Sequence, residues 1–207
     1  KLKYPVIIKP ADGTGGSGLS LIKEETEIKN ATNKIKTTST NTRFIAQEFV
    51  NGESASISLL SNGNKALAIS LNKQNITLDN PDADSSYNGG YITYDHPLSP
   101  DACILAQKVV EAFSGLRGYV GVDVILSQDK IVVVEVNPRL TTSYIGLRQV
   151  AGFNIAQAIV DAVIKKELHT KIRDRGVACF SKIQTSKPTI KAYQKTTKIA
   201  LVAPPFP

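Results

Sequence analysis

VVVEVNPRL, residues 132–140, starts as a strand suited to a dry interior and then breaks its own pattern. Three valines favour a pleated, half-buried surface, yet Glu135, Asn137 and Arg139 follow, with Pro138 among them. Residues two apart on a strand share a face, so Val133, Glu135 and Asn137 are expected to project together. GYVGVDVIL, residues 118–126, comes just before, and with residues 130–136 it is expected to form a hairpin. If odd-numbered positions lie opposite each other, Asp123 joins Glu135 and Asn137 on one side. Two carboxylates and an amide oxygen are hard donors of the kind Mg²⁺ takes while it also holds phosphates. Placing two carboxylates side by side is costly unless a positive charge neutralises them. A cation would do so, and so would salt bridges to Arg117, Arg139 or Arg148.

Upstream, YPVIIK (4–9) reads as a short strand that delivers Lys9 to the loop ADGTGGSG, residues 11–18. Gly13, Gly15, Gly16 and Gly18, interrupted only by Thr14 and Ser17, give backbone amides that can approach a phosphate closely. Leu19 and Ser20 follow where a Walker loop would need Lys and Ser or Thr, so that motif is excluded. A flexible hairpin tip is the plainer alternative. AQEFVNGES, residues 46–54, ends one strand at Glu48, Phe49 and Val50 and opens the next with Glu53. Such a stretch can offer backbone hydrogen bonds to a purine and a carboxylate to ribose hydroxyls, although an exposed hairpin acid is the default.

The remaining chain supplies strands at 43–50, 53–60 and 65–71, with turns at Asn51-Gly52 and Asn62-Gly63. Helices are expected from about Lys23 to Lys36, from Asp101 to Phe113 and from Asn154 to Lys166, and short strands near 178–183 and 198–203. Residues 72–97, rich in Asn, Asp, Ser and Gly, read as irregular and too long to be structureless without a role. There is no regular βαβ alternation, which points to an α+β fold with largely antiparallel sheets.

Bulk properties narrow the function. The 207 residues contain 25 Lys and Arg against 18 Asp and Glu, a net charge of +7. The basic residues are scattered (Lys165, Lys166, Lys171, Lys182, Lys187, Lys191, Lys195 and Lys198 towards the end) and are not interleaved with aromatics, so nucleic acid is not the expected partner. A small polyanion such as a nucleotide suits the charge equally well. No apolar run reaches the length of a membrane span, and Cys103 and Cys179 lack metal or redox spacing; a cytoplasmic protein without a membrane partner is expected. The chain has no methionine and starts at Lys1 almost inside a strand, so a preceding N-terminal segment is expected. His96 reads as a loop residue or a substrate neighbour, and His169 as a solvated residue near a helix end.

Taken in order, Lys9 with its Gly-rich loop, the acidic hinge, and Asp123 followed by Glu-Val-Asn-Pro-Arg resemble the ATP-grasp superfamily of carboxylate–amine ligases. YNGGYITYDHPL (87–98) and VVVEVNPRLTTSYIGL (132–147) are similar to an archaeal group that includes the tyramine–glutamate ligases of methanofuran biosynthesis, with the ligases of pyrrolysine biosynthesis as a related possibility. The resemblance implies two α+β lobes enclosing ATP, a small lobe over 1–50 and a large lobe over 51–207, with an N-terminal α/β domain missing from this chain. It implies ATP and one or two Mg²⁺ as cofactors, with Mn²⁺ possible, and small-molecule acid and amine substrates; a homodimer is left open. Carried over by position, it implies that Lys9, Lys73 and Arg139 act on the phosphates or the acyl phosphate. The loop from Gly13 through Thr14, Gly15, Gly16, Ser17 and Gly18 would cover the phosphates. Glu48, Phe49 and Val50 would line the adenine, and Glu53 would meet the ribose. Asp123, Glu135 and Asn137 would bind metal, and Thr141, Thr142, Ser143 and Arg148 would grip the substrate carboxylate. A nucleotide-binding module without ligase activity stays open as the alternative.

Overall fold

The structure is a computed structural model that describes residues 2–13, 15–39, 42–128, 130–168, 176–183 and 198–202. Thr14, His169 and the tail lysines Lys171, Lys187, Lys191 and Lys195 lie outside the described residues, and so do the side chains of Lys182 and Lys198. The chain divides into two units, one of Lys1–Asn51 with Asn75–Asn88, the other of Gly52–Gln74 with Gly89–Pro207. Residues 75–88, expected in the second lobe, thus belong with the first unit.

In the first unit β1 (Val6–Pro10) is the centre of an antiparallel sheet, flanked by β2 (Ser20–Ile22) and β3 (Phe44–Glu48). Val6 and Ile8 alternate onto one face and meet Ala31 and Ile35 of α1 (Ile28–Thr38), with Ile22, in a small core. A 3-10 turn, Glu25–Glu27, leads into α1, and its start is capped by the Glu27 carboxylate, which accepts from the Lys23 amide at 2.6 Å. The other sheet face carries Ile7 and Lys9, with Leu21, Gln47 and Ile45 as their register partners.

The second unit holds most of a seven-stranded sheet in the order β10-β9-β6-β5-β4-β7-β8, comprising β4 (Glu53–Asn62), β5 (Ala66–Thr77), β6 (Ser86–Ile92), β7 (Arg117–Leu126), β8 (Ile131–Asn137), β9 (Ala178–Ile183) and β10 (Lys198–Val202), with the end of β5 and the start of β6 counted in the first unit. β4–β5, β4–β7, β7–β8 and β6–β9 are antiparallel and β9–β10 is parallel. This is an α+β fold of largely antiparallel sheets. The 72–97 stretch is not irregular as expected, since it holds the end of β5 and all of β6.

The two faces of the sheet differ chemically. Ala55, Ile57, Leu59, Leu71, Val120, Val122 and Val124 pack with Ala102, Ala106 and Val110 of α2 (Ser99–Glu111) into the main core. Ser54, Ser56 and Ser58 alternate onto the opposite face, with Asp123 and Gly121 as the register partners of Ser56 and Ser58. α4 (Ile155–Val160) and the π-helical turn Asp161–Lys165 pack against β7. Helix α3 (Ser143–Val150), which was not anticipated, begins directly after the NPR turn and buries Gly146, Leu147 and Val150.

One correction concerns the opening hairpin. Asp123 pairs with Glu135, but Val124 pairs with Val133, so Val134 is an extra residue in a β-bulge. The bulge breaks the alternation: Val133 lies on the core face with Val124, and only Glu135 and Asn137 share the face of Asp123.

Candidate active site

At the open end of the polar face, Asp123 is fixed through both carboxylate oxygens. Gln74 Nε2 donates to Oδ1 at 3.0 Å and Asn137 Nδ2 donates to Oδ2 at 3.2 Å. Asn137, only 6% exposed at the end of β8, accepts from Arg139 Nη2 at 3.0 Å through its Oδ1. The turn that brings Arg139 back over Asn137 is closed by the Arg139 amide donating to the Asn137 carbonyl at 2.8 Å, with Pro138 between them. Glu135 is exposed and stands directly opposite Asp123 on β7. Like charges opposed across a strand pair are destabilising unless a positive charge lies near.

This donor set suits a magnesium ion bound to nucleotide: two carboxylates and an amide oxygen with a second lone pair, fewer than the six ligands magnesium takes, so that phosphate oxygens and water would complete the shell. Among the described residues no three His, Cys, Asp or Glu side chains converge as an all-protein metal centre.

Behind this end runs a hydrogen-bonded row of small polar side chains. Ser70 Oγ donates to Asn72 Oδ1 at 2.8 Å, and Asn72 Nδ2 donates to Ser58 Oγ at 2.9 Å. The Ser58 hydroxyl lies 2.7 Å from the Tyr119 hydroxyl, which lies 3.0 Å from Thr141 Oγ1. Ser143 Oγ, buried, meets Ser56 Oγ at 3.3 Å. Of the expected substrate residues, Thr141 and Ser143 are therefore anchored to the sheet, while Thr142 and Arg148 are exposed.

Glu53 and Lys73 lie elsewhere. Lys73 is the register partner of Ala55, so both Glu53 and Lys73 fall on the α2 face, opposite Asp123. The Lys73 ammonium pairs with the Glu53 carboxylate, the Tyr94 hydroxyl donates to Glu53 at 2.6 Å, and His96 Nε2 lies 3.9 Å from it. Lys73 also sits 5.3 Å from the centre of the Tyr94 ring. The hydrogen bond from Lys73, and then that from Tyr94, hold the Glu53 carboxyl below its usual range. Donation to Glu53, with burial second, pushes the Tyr94 phenol up to about 12.

In the first unit Lys9 is half-buried on the sheet face away from α1, and the Gly-rich loop follows it. Gly15, Gly16 and Gly18 have φ of +64°, +86° and +72°, a left-handed region that glycine enters without strain. A Cβ at Gly18 would come within 2.7 Å of Pro10 Cγ and Thr38 Oγ1. Ser39 Oγ donates to Asp12 Oδ1 at 2.6 Å and ties the loop's start to the end of α1. Glu48 is exposed, and Phe49 and Val50 are half-buried just beyond β3. Gln74, Ser56, Ser58, Ser70, Asn72 and Tyr119 were missed from sequence. For all but Tyr119 the signal is the alternation in SASIS (54–58) and ISLNKQ (69–74), where a polar residue takes every second place.

Residues 1–143 match the ATP-grasp domain, so the chain belongs to the ATP-grasp family. It is 36% identical over 130 residues to a tyramine–L-glutamate ligase of Methanocaldococcus jannaschii, covering 63% of this chain and 39% of the relative. It is 34% identical over 169 residues to the tyramine–L-glutamate ligase of Methanocaldococcus fervens, covering 82% of this chain and 48% of the relative. The chain thus spans less than half the length of these relatives. Its fold is similar to that of N5-carboxyaminoimidazole synthetase from Staphylococcus aureus complexed with ADP, with a TM-score of 0.69 at 19% identity over 86% of this chain and 46% of that one. Among the described residues no helix is long and apolar enough to cross a membrane.

Proposed function

We propose that this chain carries the nucleotide-binding part of an ADP-forming carbon–nitrogen ligase that joins a carboxylate, glutamate first among candidates, to an amine, tyramine first among candidates. The observation that carries this reading is the cross-strand pair of Asp123 and Glu135 with Asn137 and Arg139 at the strand end. The similarity to tyramine–L-glutamate ligases supports the choice of substrates.

In this reading a substrate carboxylate oxygen attacks the γ-phosphorus of ATP and ADP leaves. The amine nitrogen then attacks the acyl carbon, phosphate leaves, and the amine gives up a proton. The first step brings anion toward anion, so most of the barrier is charge and alignment. Mg²⁺, or Mn²⁺ in its place, would be held by Asp123, Glu135 and Asn137 and when bound supplies neutralising charge to the phosphates. Lys9 and the 13–18 loop serve the phosphates, Glu48, Phe49 and Val50 the adenine, and Glu53 the ribose; Lys73, expected on the phosphates, pairs with Glu53 and in this reading acts through it. Arg139 neutralises the transferring phosphoryl group, and Thr141, Thr142, Ser143 and Arg148 serve the substrate carboxylate. No nucleophilic side chain is required.

Phosphate release by the full-length protein tests the reading. ADP and phosphate are expected only when glutamate and tyramine, or a related acid and amine, are both supplied. ATP-dependent thermal stabilisation with no product from any pair would overturn it in favour of a nucleotide-binding module.

A further inference from the structure

We propose that Tyr119 is a positioning residue that latches the turn after Pro138 onto the sheet and orients the Thr141 hydroxyl as a hydrogen-bond donor to the substrate carboxylate. The proposal rests on the ligase reading above, and concerns how the acid is chosen. The row from Ser70 to Thr141 starts with a fixed direction. Ser70 donates to the Asn72 oxygen, and the Asn72 nitrogen donates to Ser58. The Ser58 and Tyr119 hydroxyls lie 2.7 Å apart and those of Tyr119 and Thr141 3.0 Å apart, and either member of each pair can donate. An anion beyond Thr141 selects the order in which Ser58 donates to Tyr119 and Tyr119 to Thr141. Each bond polarises the next. In that order Thr141, the last member, accepts from within and keeps its own hydrogen to donate outward, as an anionic carboxylate requires.

The same residue fixes the turn mechanically. Tyr119 is 5% exposed, and burial, outweighing the opposite effect of its hydrogen bonds with Ser58 and Thr141, keeps its phenol above the usual range and so protonated. Its ring meets Tyr144 of α3 edge-on, with centroids 6.0 Å apart at 87°. Gly121, two residues along β7, leaves the space for Thr141, because a Cβ there would overlap the threonine methyl. Pro138, Arg139, Leu140 and Thr142 are exposed around these anchors. A turn held from beneath has less ordering entropy to lose when substrate binds.

The test uses the full-length protein and the variants Tyr119→Phe, Thr141→Val and Thr141→Ser, with a double variant that combines Tyr119→Phe and Thr141→Val. Loss of a hydrogen bond to a charged group corresponds to roughly tenfold. Tyr119→Phe and Thr141→Val are each expected to raise KM for the acid about tenfold while KM for ATP and for the amine stay put. Thr141→Ser keeps the hydroxyl and restores the wild-type value, and the double variant is no worse than Thr141→Val. Equal rises for all substrates, additive losses, or an unchanged KM for the acid would overturn the proposal. A second readout separates its failure from that of the ligase reading: amide hydrogen exchange at Leu140–Tyr144. Tyr119→Phe should accelerate exchange there about tenfold even in a protein that ligates nothing, and unchanged exchange overturns the latch.

Discussion

On one face of the β4–β5–β7 sheet the Glu53 carboxylate is gripped by an ammonium and a phenol; on the other, Asp123 is gripped by two side-chain amides. The strands are the same and the acids are of one kind, yet the consequences differ. Lys73 gives Glu53 a fixed counter-charge, so that acid is settled before any ligand arrives. Gln74 and Asn137 are neutral: they orient Asp123 without themselves cancelling its charge, and Glu135 stands opposite with a second one. Amides that hold a carboxylate in one orientation support it as a metal ligand. The adjacent residues Lys73 and Gln74 thus serve opposite faces through nothing more than strand alternation.

The largest effect should come from Glu135→Gln. The side chain is exposed, so the melting temperature should hardly move. Turnover should fall on the order of 10³-fold, the worth of several kcal/mol of charge stabilisation. Phosphate release and a melting curve on the same sample check this, and full activity in the variant would remove the metal assignment.

A finer break of the comparison uses the neighbouring pair. Gln74→Leu removes one of the two amides on Asp123, and supporting contacts of this kind are worth about 10–100-fold in metal affinity. The Mg²⁺ concentration for half-maximal phosphate release should rise accordingly. Lys73→Leu, one residue away, should leave that concentration unchanged and act instead on KM for ATP through Glu53. Equal shifts in Mg²⁺ requirement would mean that the two faces are not separate.

Sequence reading reached the β7–β8 hairpin because its alternation is local and strong, and because Glu, Asn and Arg inside such a strand stand out. It did not reach the bulge at Val134, since a run of β-branched residues from Ile131 to Val134 has no period to betray a slip. Nor did it reach β6, whose Asn88-Gly89-Gly90 reads as loop. Those glycines answer to distant strands: a side chain at Gly90 would strike the Lys73 carbonyl, and one at Gly89 the Phe180 carbonyl. Glu53 and Lys73 were each expected to meet the nucleotide, one at the ribose and the other at the phosphates, but that they pair, and on which face, depends on the β4–β5 register, which local pattern does not specify. The polar row ending at Thr141 was written in the alternating serines, but its meaning required knowing that β4 is sandwiched by β5 and β7.

The smallest expected effect concerns the titration of the Glu53 cluster. Tyr94 titrates near 12 in the folded protein against 10.0 ordinarily, because it donates to Glu53. A raised folded value favours the protonated form, so its stabilisation is complete below pH 10 and is lost as the pH rises toward 12. Glu53 is shifted the opposite way, downward from 4.5, chiefly by Lys73. Its stabilisation is present above that value and is lost as the pH falls through the lowered one. Nearly half of the Glu53 side chain is exposed, so solvent screens the acid limb and it should be faint. The alkaline limb is the one to measure. Urea unfolding at about pH 9, 10 and 11 should show wild type losing stability faster than Tyr94→Phe, and the gap between them closing as the pH rises. Tyr119, whose burial also raises its phenol, titrates in both proteins and drops out of the difference. A constant gap across that range would mean that Glu53 is held by Lys73 alone, and that the phenol adds packing but no charge-dependent grip.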